Sequence, residues 1–301
     1  MNLDILTRSR GRHSRITEFL IEKGLLVMAS ISIFTLGSLV VFLVSQAYPF
    51  FAKVPLTDFL FGTEWSPSSG IFGVLPIFVG TLLTSVVAAA IAIPIGIGCT
   101  IYLAEVAHPT IKKFLKPVIE LLAGVPSIIF GLFAMLVLSH FVQAVFNTGT
   151  TLNGMVGAIA LAIMMIPIMV TISEDAMNSV PGSLREASMA LGATKWETIK
   201  GVVIPASLSG ILAAIILAFG RAIGETMTVL MATGSARQLT TNIFSPMETM
   251  TSAIALDIQE VARTEISYNA LFAVGLLLFI LTFVINLLAE IILRKFREAY
   301  E

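Results

Sequence analysis

The run LLVMASISIFTLGSLVVFLVSQA, residues 25–47, holds 23 residues without a charge. A helix rises about 1.5 Å per residue, so roughly 20 apolar residues cross a hydrocarbon layer of about 30 Å. The run therefore reads as a membrane span. Basic residues precede it, and Ser45-Gln46-Ala47 loosely suits a signal cleavage site, but the run is longer than a usual signal core and favours a retained helix.

The rest of the chain repeats the pattern. Forty uncharged residues separate Glu64 from Glu105, and 53 separate Glu120 from Glu174. The second stretch is too long for one crossing, and the turn formers from Asn147 to Gly154 divide it. Six spans result: Leu25–Ala47, Val74–Leu103, Glu120–Val145, Met155–Ile172, one from Pro205 ending before Gly234, and Ser267–Ala289. The expected fold is an all-α membrane protein with six transmembrane helices. Residues 1–24 form a tail, 25–47 the first span, and 74–293 a five-helix core that includes the loop 173–204.

Composition agrees. Of 301 residues, 18 are Lys or Arg and 19 Asp or Glu, so 12% are charged, about half the usual fraction in a soluble protein. The apolar share is 56% and mean hydropathy is +0.95. Too little polar surface remains to cover a soluble domain. A disordered chain, a nucleic-acid binder and an ordinary soluble enzyme are excluded. The lone Cys99 cannot build a disulfide framework or a thiolate metal site, and His13, His108 and His140 lack ligand spacing. No catalytic or metal-binding residue is expected.

Basic residues set the orientation. Fourteen of the eighteen fall in four segments assigned to the cytoplasm: Arg8, Arg10, Arg12, Arg15 and Lys23; Lys112, Lys113 and Lys116; Arg185, Lys195 and Lys200; Arg294, Lys295 and Arg297. Lys53, Arg237 and Arg263 fall outside, and Arg221 lies within the fifth span. Both termini are then cytoplasmic. The aromatics of the first external loop, with Trp65, read as an interfacial belt, and the loop 234–265 is long enough to fold over a pore mouth.

The loop 173–204 carries more. Ser183 with Glu186, and Thr194 with Glu197, have capping-box spacing, so two short helices are expected with Gly192 as the bend between them. Pro205 suits the first turn of the next span. Read alone, these are either amphipathic linkers resting on lipid or the bundle through Leu184, Ala187, Leu191, Trp196 and Ile199, or a docking element. The order Glu186-Ala187-Ser188, three residues, Gly192, nine residues, Val202-Val203-Ile204-Pro205 resembles the EAA loop of ABC importer permeases, with Ser188 in place of the second Ala. The resemblance implies the MetI-like architecture of type I importers. It also implies that Glu186, Ala187 and Gly192 belong to a coupling helix seated on a separate ATPase. This chain has no G-x-x-x-x-G-K-[ST] loop. It would bind no cofactor itself, and ATP and Mg would be used by the partner.

In the fifth span, Arg221 is the fifteenth residue if the helix starts near Ser207, past the midplane; a start near Gly201 would carry it to the outer interface. An Arg at mid-membrane costs about 2.5–3.5 kcal/mol on insertion scales, so it should face protein or water. Glu225 lies one turn on, and Ala214 and Ala218 continue the stripe, leaving room for a pore or a close helix. Two readings fit: a structural ion pair, or a fixed positive charge offered to an anion in transit, its guanidinium suited to oxyanions. Arg221-Ala222-Ile223-Gly224-Glu225-Thr226 resembles the fifth-span motif of phosphate-specific ABC permease subunits, as do Glu120 to Ser127 and Gly80-Thr81-Leu82. The first loop and the 253–271 region are closer to the PstC type than to the PstA type. The resemblance covers residues 25–297. It implies a role for Arg221 and Glu225 in phosphate passage. The partners implied are a second homologous permease, two ATP-binding subunits and an external phosphate-binding protein. Another oxyanion, sulfate or molybdate, and an ATPase-independent channel or carrier are the alternatives. Elsewhere, Glu120 is expected at an interface, Glu290 with Arg294 as an i,i+4 pair, Asn286 in an interhelical hydrogen bond, and Pro126 and Pro167 at kinks.

Overall fold

The computed structural model describes residues 4–261 and 265–297. Six helical spans are long and apolar enough to cross a membrane: Glu18–Phe51, Leu75–Val106, Ser127–Phe146, Gly154–Asn178, Lys195–Ile223 and Ile266–Ile291. In chain order the elements are α1 (Asp4–Phe51), α2 (Leu56–Phe61), β1 (Trp65–Ser66), β2 (Ile71–Phe72), α3 (Leu75–Ile101), α4 (Pro109–Ala123), α5 (Ser127–Phe133), α6 (Ser139–Phe146), α7 (Gly154–Asn178), α8 (Gly182–Ala190), α9 (Lys195–Thr198), α10 (Ile204–Ile223), α11 (Met227–Ala232), α12 (Met250–Asp257) and α13 (Ile266–Arg297). Wide π turns follow α3 (Tyr102–Val106), α5 (Ala134–Leu138) and α9 (Ile199–Val203).

The divider between the third and fourth spans forms as its residues dictate. Asn147 takes a left-handed φ of 49° after α6, and the Asn153 side chain accepts the Val156 N–H at 3.2 Å to start α7. Two expected spans differ. The third is not one helix from Glu120. Proline at 126 disfavours helical backbone at Val125, and the chain breaks at 124–126 between α4 and α5. Glu120 sits exposed on α4. The fifth span begins at Lys195 and not at Pro205. Thr194 and Glu197 form a complete capping box, and the helix runs on into the membrane. Pro205 cannot donate a backbone hydrogen bond, and the π turn just before it absorbs the defect.

The centre of the bundle is a seam of small residues. Ala88, Ala89 and Ala92 of α3, Ala158 and Ala162 of α7, and Ala218 and Ala222 of α10 are buried together, with Met165 and Met169 filling the gaps. Small side chains let helices without a hydrophobic driving force between them approach closely. Ala214 is also fully buried, so the Ala214–Ala218 stripe serves helix packing. Gly220 lies against the Asn286 side chain; the interhelical hydrogen bond expected of Asn286 is absent among the described residues. The pair Glu290–Arg294 forms, at 3.0 Å.

α1 packs along α13 and leaves its remaining face open. Its end joins an aromatic cluster in which Phe50 meets Phe51, Phe59 and Phe72 edge-on at 5.2–5.4 Å. Trp65 is buried in this cluster and not spread at an interface as a belt residue. Strands β1 and β2 pair antiparallel, Trp65 opposite Phe72 and Ser66 opposite Ile71. Lys112, Lys116, Arg185 and Lys195 gather at one end of the bundle, the basic face. The hairpin and the segment 234–261 close the other end, where Glu64 bridges Gln238. Arg263 lies outside the described residues.

Candidate functional site

Arg221 occupies the last turn of α10, which ends at Ile223. Its height follows from neighbours. Gly210 is pressed against Ala176, near the basic end of α7. Eleven residues later, about 16 Å along the axis, Arg221 shares a small void with Leu161, Met164 and Met165. Met164 is the eleventh of the 25 residues of α7, so Arg221 stands near mid-height of that span. The early start at Lys195 does not carry it to the far interface, because the first half of the fifth span extends beyond the end of α7.

The helix face expected to join Arg221 to Glu225 does not exist. The chain leaves the helix at Gly224, and Glu225 lies in the break before α11. Its Oε1 accepts the Thr228 N–H at 3.3 Å, capping α11, and its backbone carbonyl accepts the Thr251 hydroxyl of α12 at 2.7 Å. No ion pair links Glu225 to Arg221 among the described residues. Arg221 is exposed on the subunit's surface and has no hydrogen-bonding or ionic partner among them. Arg221 and Glu225 line the same small void, without an ion pair between them. A second break lies alongside: the Thr228 hydroxyl donates to the Ser127 carbonyl at 3.0 Å, tying the start of α11 to the start of α5. Two interrupted helices thus meet near mid-height. Non-helical backbone at that depth is tolerated where protein buries it or where it lines a water-filled passage.

At the basic face, α8 carries Glu186 and Ala187, both exposed. The capping box expected from Ser183 and Glu186 is absent, since α8 starts at Gly182 without a side-chain cap. Gly192 terminates it with φ +90°. The N–H groups of Gly192 and Ala193 return to the carbonyls of Met189 and Ser188 at 3.0 and 3.3 Å, a Schellman closure. No residue of α8 is buried, and Leu184, Met189, Leu191 and Trp196 are exposed. Of the apolar set expected to rest on the bundle, Ile199 alone is buried. Nearby, Glu174 at the end of α7 is 2% exposed and receives Lys112 at 2.8 Å and Lys116 at 2.9 Å. Hydrogen bonds to Glu174 and then Asp175 push the Lys116 ammonium up to about 12.

At the opposite end, Arg237 binds Glu248 at 3.0 Å and Asp257 at 2.5 Å, while Trp65 donates its indole N–H to Asp257 at 2.9 Å. The Glu248 side chain is wholly buried, and its Oε1 has no partner. Burial raises its carboxyl to about 7 against the pull of Arg237. One guanidinium therefore serves two buried carboxylates. Sequence reasoning missed this clasp: its members lie up to 192 residues apart, and only a charged residue beside an apolar run hinted at Asp257.

Six spans around an alanine seam, a loop helix presented at the basic face and an unpaired guanidinium beside two broken helices define a membrane transport subunit. Residues 92–298 match the family described as binding-protein-dependent transport system inner membrane component, and the chain belongs to that family. It is a permease subunit and not an enzyme. Curated relatives include the probable ABC transporter permease protein YqgH of Bacillus subtilis, 38% identical over 77% of this chain and 75% of that protein. The phosphate transport system permease proteins PstC of Mesorhizobium japonicum and Haemophilus influenzae are 36% and 32% identical, over 79% and 80% of this chain and 78% and 82% of theirs. Among solved structures, the inward-facing MetNI methionine ABC transporter matches with a TM-score of 0.58 at 19% identity, over 72% of this chain and 93% of that chain. A bacterial ABC transporter involved in the import of alginate matches at 0.57 and 15%, over 88% and 95%. The fold is therefore the MetI-like one.

Proposed function

We propose that this chain is the permease subunit of an ATP-driven importer that moves inorganic phosphate across the cytoplasmic membrane. The observation that carries the site is Arg221, exposed and unpaired near mid-height beside two helix breaks. A guanidinium left free in hydrocarbon is costly, and a travelling oxyanion would satisfy it bidentately. Glu225 fixes the break and thereby the position of Arg221. The names of the PstC relatives support phosphate over sulfate or molybdate. The charge rule supports a cytoplasmic basic face with both termini inside. The exposed Glu186, Ala187 and flanking apolar side chains of α8, closed by Gly192, suit docking into a cleft on an ATP-binding subunit. ATP and Mg belong to that subunit, of which the complex has two. A second, PstA-like permease completes the pore, and an external phosphate-binding protein delivers the anion.

The test is Arg221→Gln in the complex reconstituted into lipid vesicles, with labelled phosphate outside, sulfate as competitor and ATP inside. Uptake is expected to vanish while assembly and ATP hydrolysis persist. Normal uptake would remove Arg221 from the pathway, and competition by sulfate would favour a broader oxyanion importer.

A further inference from the structure

The helix α8 raises a mechanical question. A helix with no buried residue has no apolar grip on the bundle, yet a docked ATPase would have to move the bundle through it. Its attachments must then be polar. Among the described residues, side-chain hydrogen bonds and ion pairs from α8 to other elements run through two positions. Arg185, 23% exposed, pairs through Nη1 with Glu105, whose side chain is 8% exposed in the π turn at the foot of α3. Its Nη2 donates at 2.8 Å to the carbonyl of Met177, in the last turn of α7. Ser188 shares a hydrogen bond of 3.0 Å with Thr198, which is buried at the foot of the fifth span.

From this arrangement we infer that Arg185 is a positioning residue for energy coupling: its guanidinium locks α8 to the feet of the second and fourth spans, so that a push on α8 displaces both. The inference rests on the importer reading, since it needs a docked ATPase. The chemistry favours Arg in this place. A planar fork reaches a carboxylate on one helix and a carbonyl on another at once, which a lysine point charge cannot do. The partners are also of the right kind. Glu105 is nearly buried, so its charge is held at low dielectric and the pair resists stretching more than an exposed one would. The Met177 carbonyl, one of the last four of its helix, accepts the Val180 N–H at 3.3 Å and has a second lone pair for Arg185. Ser188 adds the third foot. Arg185 thus sits between the surface that receives force and the bundle whose fifth span carries Arg221.

The experiment compares the full complex in vesicles, unsubstituted and carrying Arg185→Met, Arg185→Lys or Glu105→Gln, and reads phosphate taken up per ATP hydrolysed. Arg185→Met and Glu105→Gln should lower that ratio tenfold or more, with hydrolysis within about twofold of the unsubstituted complex. Arg185→Lys should fall between. A ratio unchanged in Arg185→Met and Glu105→Gln, whether or not the overall rates drop, would overturn the assignment, because a purely stabilising residue lowers uptake and hydrolysis together. Should Arg185→Met not assemble, Glu105→Gln decides by the same ratio. Absence of ATP-dependent uptake by the unsubstituted complex would instead sink the importer reading itself.

Discussion

Gly192 offers a perturbation whose size can be worked out. Its φ is +90°, and a Cβ added there would meet nothing within 4 Å. Alanine would therefore bring only a backbone penalty, about 1–2 kcal/mol for an L-residue in left-handed conformation. That is a factor of roughly 5–30 in the population of the observed bend. Asparagine, which visits positive φ more readily, should lose less. Proline is different in kind. Its φ is fixed near −65°, it lacks the N–H that Gly192 donates to Met189 at 3.0 Å, and it disfavours the near-helical backbone of Leu191, φ −80° and ψ 4°. The bend cannot form, and α8 must leave its place. In the reconstituted complex, phosphate uptake per ATP should fall in the order Asn, Ala, Pro, with hydrolysis persisting. A Gly192→Pro complex with the unsubstituted ratio would refute the coupling role of this loop.

Two further predictions concern the end opposite the basic face. Glu248 holds a proton more tightly when folded, at about 7 against an ordinary 4.5, so its contribution to stability is complete below about pH 4.5 and is lost as pH rises through about 7, by at most about 3 kcal/mol. With Trp196→Phe leaving Trp65 as the fluorescent reporter, the thermal midpoint should fall across that window, and Glu248→Gln should flatten the slope; an equal slope in both would rule out Glu248 as its source. Gly80 touches the Glu248 backbone so closely that an added Cβ would overlap its carbonyl, so Gly80→Ala should destabilise the detergent-solubilised chain by about 1–3 kcal/mol, whereas Gly98→Ala, with open space around it, should not; equal midpoints would contradict the contact.

The membrane spans were legible because hydropathy over 20 residues is a bulk property that neighbours cannot override. The turn at 147–154 was legible for a local reason, since Asn147 and Asn153 act on their own backbone. Thr194 was read correctly on the same grounds. Ser183 was not, because Pro181 and Gly182 already start α8 and leave that hydroxyl no capping role. The span that matters most was misread at its start and in its interior. Uniform hydropathy hides a break at Gly224, which Thr251 and Ser127 hold from elsewhere in the fold. Arg221 was found as an anomaly in an apolar run, but its lack of a partner could be seen only once Glu225 was placed. Arg185 with Glu105, 80 residues apart, and Trp65 with Asp257, 192 apart, are contacts across long stretches of chain. No periodicity records them.

The interruption at residues 224–226 has a mechanical consequence. An unbroken helix pushed at its foot behaves as a piston, and the push is relayed at full stroke to its far end. Here the ladder of backbone bonds stops halfway, and the upper piece is pinned sideways to α5 through Thr228. A thrust entering at Lys195 is then spent as a swing of the lower piece. The short piece above the break can then stay with α5 and α12 while the longer piece below it tilts.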